Sequence, residues 1–214
     1  MGDPLERQRW QSGRSDRRRQ LIFFNIKRGP DVMAQDILKT LRKLNRALAI
    51  LIGIGLLICV VFVLLDIVLR QVGASFGGTD EVSGYVMAIS AAWGMAYTLL
   101  ELGHVRIDLL RSRVATRGRV LFDLFSMMVL TGTVTLIAFR CWPVVEKSIA
   151  NSSTANTVLE TPLWLVQVPW FAGWTWFAIV SWLTLVSALV LFLQGKFDEI
   201  ESAIGAFAEQ DALV

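Results

Sequence analysis

The chain has 214 residues, of which 54% are hydrophobic and 18% are charged, and its formal net charge is +3. Its mean hydropathy is +0.54, a composition typical of an integral membrane protein rather than of a soluble globular domain. Two cysteines, Cys59 and Cys141, are too few for a disulfide framework. They fall at different depths of two apolar runs, so we expect both to be small buried apolar side chains.

The first 46 residues divide into two basic segments. Residues 1–30 are rich in arginine and show no sustained period, which predicts a disordered cytoplasmic tail or, alternatively, a polybasic segment on anionic lipid. Residues 31–46 carry apolar residues at helical spacing, with basic residues on other faces. This pattern predicts an amphipathic helix along the inner membrane surface. The alternative is a cytoplasmic extension of the first membrane span.

Four apolar runs with few charges follow, at about residues 47–69, 82–100, 120–142 and 163–193. About 20 helical residues at ~1.5 Å each cross the hydrocarbon core of a bilayer. We therefore predict an all-α integral membrane protein, with a four-helix membrane domain at 31–195 and an acidic cytoplasmic tail at 196–214. The last run is longer than a span requires, which predicts tilt or extension beyond the membrane. Pro143 is expected to bend or end the third helix.

Charged residues mark the ends of the first two spans. Asp66 and Arg70 share one helix face in the favourable order, which predicts a local ion pair. The alternative is a contact across the loop with Asp80 or Glu81, the acidic pair that opens the second span. A carboxylate near a membrane boundary is costly unless it is paired or hydrated. These four side chains are therefore candidates for a structural role.

Small and aromatic residues indicate where helices pack. The second span is rich in glycine, alanine and serine, which allow close helix approach in lipid. Tryptophans crowd the first half of the fourth span, among them Trp170 and Trp174. Anchoring at the membrane interface is the preferred interpretation, and a groove for a partner or lipid is the alternative.

The distribution of lysine and arginine predicts the orientation. Twelve of these residues lie in the first 46 and five in the segment 102–119, whereas the two other loops hold few. Basic residues favour the cytoplasmic side. The sequence therefore predicts four spans, with both termini and the second loop in the cytoplasm.

The residues that most chemistry requires are absent from the sequence. The single histidine, His104, excludes a multi-histidine haem protein, and there is no Cys/His metal cluster or phosphate-binding glycine loop. The middle of the spans lacks the ionisable residues of an ion or proton pathway. We therefore predict no catalytic, substrate-binding or metal residues and no nucleic-acid partner. The chain is interpreted as a non-enzymatic membrane scaffold that needs a partner.

Several features together resemble the small membrane subunit of tripartite ATP-independent periplasmic (TRAP) transporters, the DctQ-like family. They are an arginine after the first span, an acidic pair, a span of small residues and the run GHVRIDLL at 103–110. The resemblance covers about residues 45–195. It matches Arg70, Asp80 and Glu81 to the periplasmic-end charges of the family, and His104, Arg106 and Asp108 to its cytoplasmic-end motif. Their implied role is to fix helix ends and contact a partner, or otherwise to anchor the chain at the lipid headgroups.

The resemblance also implies the functional setting. A large M-type membrane subunit would hold the substrate and sodium sites and move as an elevator. A periplasmic P-type binding protein would deliver an organic acid anion, such as a carboxylate. The small subunit would widen the static scaffold in the bacterial inner membrane and would itself carry no cofactor; membrane lipids would surround it.

Two other functions are compatible with the sequence. The chain could be a membrane anchor or assembly subunit of another multi-span complex, such as a redox enzyme. It could also form a small channel or carrier as a homo-oligomer, although no polar stripe along a span supports this.

Overall fold

The computed structural model describes residues 30–103, 116–195, 200, 203 and 204. They form helix α1 (Pro30–Gln71), helix α2 (Thr79–Leu100), helix α3 (Thr116–Ala150) and helix α4 (Leu163–Leu193). Within this part of the chain, a single antiparallel bridge between Thr154 and Pro162 is the only β pairing. The prediction of an all-α protein is confirmed.

Three helices in the described residues are long and apolar enough to cross a membrane: Gln35–Gln71, Gly118–Ala150 and Leu163–Leu193. Helix α2 is not among them, although it has 22 residues, because glycine, alanine and serine take the place of aliphatic side chains along it. A membrane protein is thus supported, and the count of four spans stays a prediction.

Two helices are longer than the spans predicted from the sequence. Helix α1 joins the amphipathic segment and the first apolar run without a break over 42 residues. Helix α3 continues through Pro143 to Ala150, so this proline does not end the helix, and the alternative expectation that it bends the helix stays a prediction. A proline removes one backbone donor, and such a loss is tolerated inside long apolar helices.

Helix α4 is the central element of the structure, because it packs against each of the other three helices. Helices α1 and α3 begin, and α2 and α4 end, at what we call the core end. The largest buried cluster lies there, with Leu100, Met127 and Leu191 fully enclosed, and it includes Ile200 and Ile204. The opposite end carries the α1–α2 and α3–α4 loops, and we call it the loop end.

Each helix that packs on α4 is joined to it by a hydrogen bond from an indole. Trp93 of α2 donates to the carbonyl oxygen of Pro169 at 3.0 Å. Trp176 of α4 donates to Asn45 Oδ1 of α1 at 3.1 Å. Trp182 of α4 donates to Thr135 Oγ1 of α3 at 3.0 Å. The tryptophans therefore connect helices in addition to any contact they make with the membrane interface.

Gly173 sets the closest approach between α2 and α4. A Cβ atom at this position would lie 2.8 Å from Trp93 Cδ1 and 2.9 Å from Ala92 Cβ. The backbone carbon of Ala92 would lie at 3.1 Å, so moving a side chain cannot relieve the whole overlap. The small residues of α2 thus pack against a glycine of α4, as expected for helices that associate in lipid.

We expect Gly173→Ala to separate α2 from α4 and to weaken the bond from Trp93. Overpacking of this kind costs about 1–3 kcal/mol, which would be measured as a lower midpoint of thermal unfolding in detergent. Gly132→Ala in α3 is the matched control, because a Cβ atom there has nothing within 4 Å. Similar losses for the two variants would contradict the assigned packing.

Candidate functional site

Asp66 is the centre of a polar cluster at the loop end. Its Oδ1 accepts hydrogen bonds from Ser75 Oγ at 2.9 Å and from the backbone N–H of Phe76 at 2.8 Å. Its Oδ2 accepts from Arg70 Nε at 2.8 Å and from Thr79 Oγ1 at 2.6 Å. The residue is 1% exposed. Since both oxygens already accept two donors each, this carboxylate has little capacity left for a solute or cation.

Arg70 completes the cluster from the last turn of α1. Its Nη2 lies 2.7 Å from Asp66 Oδ2 and donates to Thr79 Oγ1 at 3.2 Å. The predicted local ion pair is therefore present. Across the loop, both of its members form hydrogen bonds with Thr79, the first residue of α2. Among the described residues, Arg70 forms no hydrogen bond or ion pair with Asp80 or Glu81, the alternative partners considered from the sequence.

Glycines allow the loop between α1 and α2 to fold back onto Asp66. Gly73, Gly77 and Gly78 all have positive φ, between 69° and 78°, a region that side chains other than glycine rarely adopt. The turn brings the ring of Phe76 onto Phe62 of α1, with centroids 5.4 Å apart. The buried carboxylate and this stacked pair together hold the loop in one conformation.

The two acidic residues at the start of α2 differ in their exposure to solvent. Both residues lie in the first helical turn, where a negative charge is favourable for the helix dipole. Asp80 is exposed, and its carboxylate makes no hydrogen bond or ion pair within the described residues. Glu81 accepts a hydrogen bond from the Tyr85 hydroxyl at 2.6 Å, and its Oε2 is buried without a hydrogen bond of good geometry.

Glu81 faces the loop between α3 and α4. The pKa of this carboxyl, which precedes the charge-free run 82–100, is held below its usual value by the hydroxyl of Thr157 and then by that of Tyr85. Thr161 and the backbone of Leu159 act in the same direction. The carboxylate therefore remains ionised at neutral pH and lies beside the loop between α3 and α4.

The two loops also touch through apolar atoms. A Cβ atom at Gly78 would lie 2.6 Å from Leu159 Cδ1, and one at Gly77 would lie 3.8 Å from Val158 Cγ1. Val158 is 84% exposed, and Val72 and Phe76 are also exposed. The loop end thus presents a single surface with several apolar side chains, which we call the loop platform: residues 72–78 and 154–161.

The tryptophan candidates of α4 lie below this platform. Trp170 and Trp174 are half-buried, and Trp174 packs against Phe177 with ring centroids 6.2 Å apart. The indole nitrogen of Trp174 is buried and has no hydrogen-bond partner. Trp93 and Trp176 do form hydrogen bonds between helices, and the sequence did not predict that role for them.

The remaining candidates, His104, Arg106 and Asp108, lie outside the described residues. In the described ranges, no group of three or more His, Cys, Asp or Glu side chains could hold a metal ion. Sequence reasoning found Asp66 and Arg70 but missed Ser75, Thr79 and the contact with Leu159. The glycines at 77 and 78, followed by a threonine, were the available signal for the turn.

Comparison with known proteins gives one match. The family described as "Tripartite ATP-independent periplasmic transporters, DctQ component" matches residues 58–191. That range begins within α1, includes the Asp66 cluster and the loop platform, and ends near the end of α4. No curated protein and no solved structure matches the chain.

Replacing Asp66 tests whether the cluster holds the loop. Asp66→Asn keeps the shape of the side chain but loses the ion pair and turns an acceptor into a donor that faces donors. Leaving buried donors unsatisfied costs about 1–3 kcal/mol, so we expect roughly 10–100-fold faster hydrogen exchange of the Phe76 amide.

Asp80→Asn is the matched control for this experiment, because Asp80 lies on the same loop end and its side chain is exposed. Its exchange at Phe76 should equal that of the unmodified chain. Unchanged exchange in Asp66→Asn would remove the assigned role of the carboxylate.

Proposed function

The chain belongs to the DctQ family of tripartite ATP-independent periplasmic transporters, and from this membership we propose that it acts as a non-catalytic scaffold within a sodium-coupled importer of organic acid anions. The family match over residues 58–191 is the observation that carries the proposal. In this role the chain supplies structure to the transporter, and the solute crosses the membrane through another subunit.

The distribution of charge along the described helices supports a scaffold role. Asp66 is saturated by donors from its own chain, and Glu81 faces the loop between α3 and α4. The run 82–100 between the two ends of α2 has no charge. A path for an anion or a sodium ion needs polar groups at the depth of the membrane, and a large M-type subunit would provide them. No cofactor is required in this chain.

We place the loop end in the periplasm and the core end in the cytoplasm of a bacterium, with four spans in the inner membrane. Basic residues favour the cytoplasmic side. The core end carries exposed Lys39, Arg42, Lys43 and Arg46 on α1, and the basic loop that follows α2 starts there. Both termini then lie in the cytoplasm.

The large subunit would cover apolar surface that the chain leaves open. The best membrane-spanning window of α1 has none of its residues buried inside the structure, and Leu51, Leu57 and Ile58 are each at least 64% exposed. Continuous apolar surface of this kind suits either lipid or a membrane partner. Such a contact would widen the static part of the transporter.

The loop platform would help to receive the periplasmic binding protein. It presents exposed apolar residues, Val158 and Phe76 among them, and the exposed carboxylate of Asp80 lies next to it at the start of α2. The Asp66 cluster and Glu81 hold its two loops in place. A surface that is ordered before binding loses less conformational entropy when a partner docks.

The decisive experiment compares the chain alone with the chain co-expressed with the M-type subunit from the same source. In proteoliposomes with a sodium gradient and a loaded binding protein, we expect uptake of the anion only when both membrane subunits are present. The two chains should also co-purify in mild detergent. Uptake by this chain alone would refute the scaffold proposal.

Charge reversal at Asp80 tests docking of the binding protein separately from folding of the chain. Asp80→Lys replaces an exposed carboxylate that makes no side-chain hydrogen bond in the described residues, so it should lower the thermal midpoint only slightly, through the dipole of α2, and lower uptake several-fold by weakening docking. Cys59→Ala serves as the control for both measurements. Uptake by Asp80→Lys at the control rate would exclude Asp80 from the docking surface.

A further inference from the structure

An open groove lies between α1 and α4 near the core end. Its volume is about 410 Å³, and it is lined by Asp36, Ile37, Thr40, Leu41 and Leu183. The lining surface is almost wholly apolar, and the Thr40 hydroxyl already donates to the carbonyl oxygen of Asp36 at 2.8 Å. A polar solute would need several convergent polar groups, so the groove suits a hydrocarbon chain.

The helix that forms one wall of the groove has three distinct sides. Leu38, Leu41 and Asn45 are buried toward the core and α4. At roughly 100° per residue, Ile37, Leu41 and Leu44 follow one another along the flank that carries the groove. The opposite flank carries exposed basic residues: Lys39, Arg42, Lys43 and Arg46.

The basic segment of α1 lies at the same level as stretches of α4 and α3 that carry no charge. Asn45 meets Trp176 and Asp36 lines the groove with Leu183, so the basic segment lies beside residues 176–183 of α4. On α3, Thr131 and Thr135 meet Ser181 and Trp182 of that same stretch. There the α3 sequence is free of charge from 124 to 139.

The same stretch of α4 thus has four basic residues near it on the α1 side and only uncharged residues on the α3 side. The next charge of α3 toward the core end is Asp123, eight residues from Thr131, or ~12 Å along a helix. A membrane surface perpendicular to the axis of the helix bundle cannot place the basic residues of α1 in the headgroup layer and the uncharged residues of α3 in hydrocarbon. An oblique one can, with α1 entering the headgroup layer where α3 is still in hydrocarbon.

We propose that the basic flank of residues 35–46 of α1 faces the headgroup layer of the inner leaflet, and that the groove beside Leu183, on the other flank, holds an acyl chain of an anionic phospholipid. The proposal rests on the proposed orientation, with the core end in the cytoplasm. Charge complementarity identifies the occupant, because the basic flank meets anionic headgroups. Asp36 borders the groove and lies on the same flank as Lys39 and Lys43, which supply the positive charge that a phosphate requires.

The position of single labels tests the arrangement. In a Cys59→Ala/Cys141→Ala background, Leu44→Cys and Lys43→Cys place a spin label on neighbouring residues at one level but on opposite flanks. In nanodiscs that contain anionic lipid, we expect the Leu44→Cys label to collide with oxygen and the Lys43→Cys label with a water-soluble nickel chelate. Leu57→Cys, in the middle of α1, is the control for full exposure to hydrocarbon.

A second measurement tests the lipid itself. A fluorescent label at Leu44→Cys should be quenched more by brominated phosphatidylglycerol than by brominated phosphatidylcholine at equal fractions. Attraction to the headgroup should contribute up to about five-fold per lysine, and the preference should disappear in Lys39→Gln/Lys43→Gln. Glu146→Gln, at the loop end, should keep the preference.

Three results would overturn the proposal. Collision of both labels with the nickel chelate would mean that residues 35–46 project into water. Equal quenching by the two brominated lipids would exclude an anionic lipid. Protection of the Leu44→Cys label from both colliders in the complex with the M-type subunit would mean that protein covers the groove. The uptake assay measures neither label collision nor quenching by lipid. Failure of the lipid proposal is therefore distinct from failure of the scaffold proposal.

Discussion

The structure depends on contacts with α4, and each neighbouring helix is joined to that helix by an indole hydrogen bond. Hydrocarbon tails are as apolar as leucine side chains, so helices in lipid gain little from the hydrophobic effect. Close approach and a few polar bonds must replace it. Gly173 allows the close approach of α2, and Trp176 and Trp182 add directional bonds to α1 and α3. A tryptophan suits this role because its large ring packs while its single N–H fixes the register.

The two ends of the bundle are held by different interactions. The core end has a buried apolar cluster that includes Leu38, Val120 and Ile204, as in a water-soluble domain. The loop end has few buried apolar residues, and it depends on Asp66 and Glu81 instead. A buried carboxylate is stable there only because donors of its own chain satisfy it. The loop platform is therefore specified by polar contacts, which fix one geometry more strictly than apolar packing does.

Local patterns in the sequence predicted the features that depend on neighbouring residues. Helix α4 has the same bounds as the charge-free run 163–193, and the spacing of Asp66 and Arg70 predicted their ion pair. Contacts between distant residues could not be predicted in this way. The bonds of Asp66 to Ser75 and Thr79 depend on the positive-φ glycines of the loop, and the partners of Trp93 and Trp176 depend on how helices cross. The unbroken helix at Pro143 shows that a proline does not by itself end a long apolar helix.

A static scaffold must resist force from a moving partner, and the arrangement of contacts suits that demand. If the M-type subunit moves against this chain, the load reaches α4 from three sides, through α1, α2 and α3. The bonds of Trp93 and Trp176 lie close together along α4, at Pro169 and at Trp176 itself. A helix that is bonded to α1, α2 and α3 can shift only if several of these bonds break together. Under the scaffold proposal, rigidity at this point is what the chain would contribute to transport.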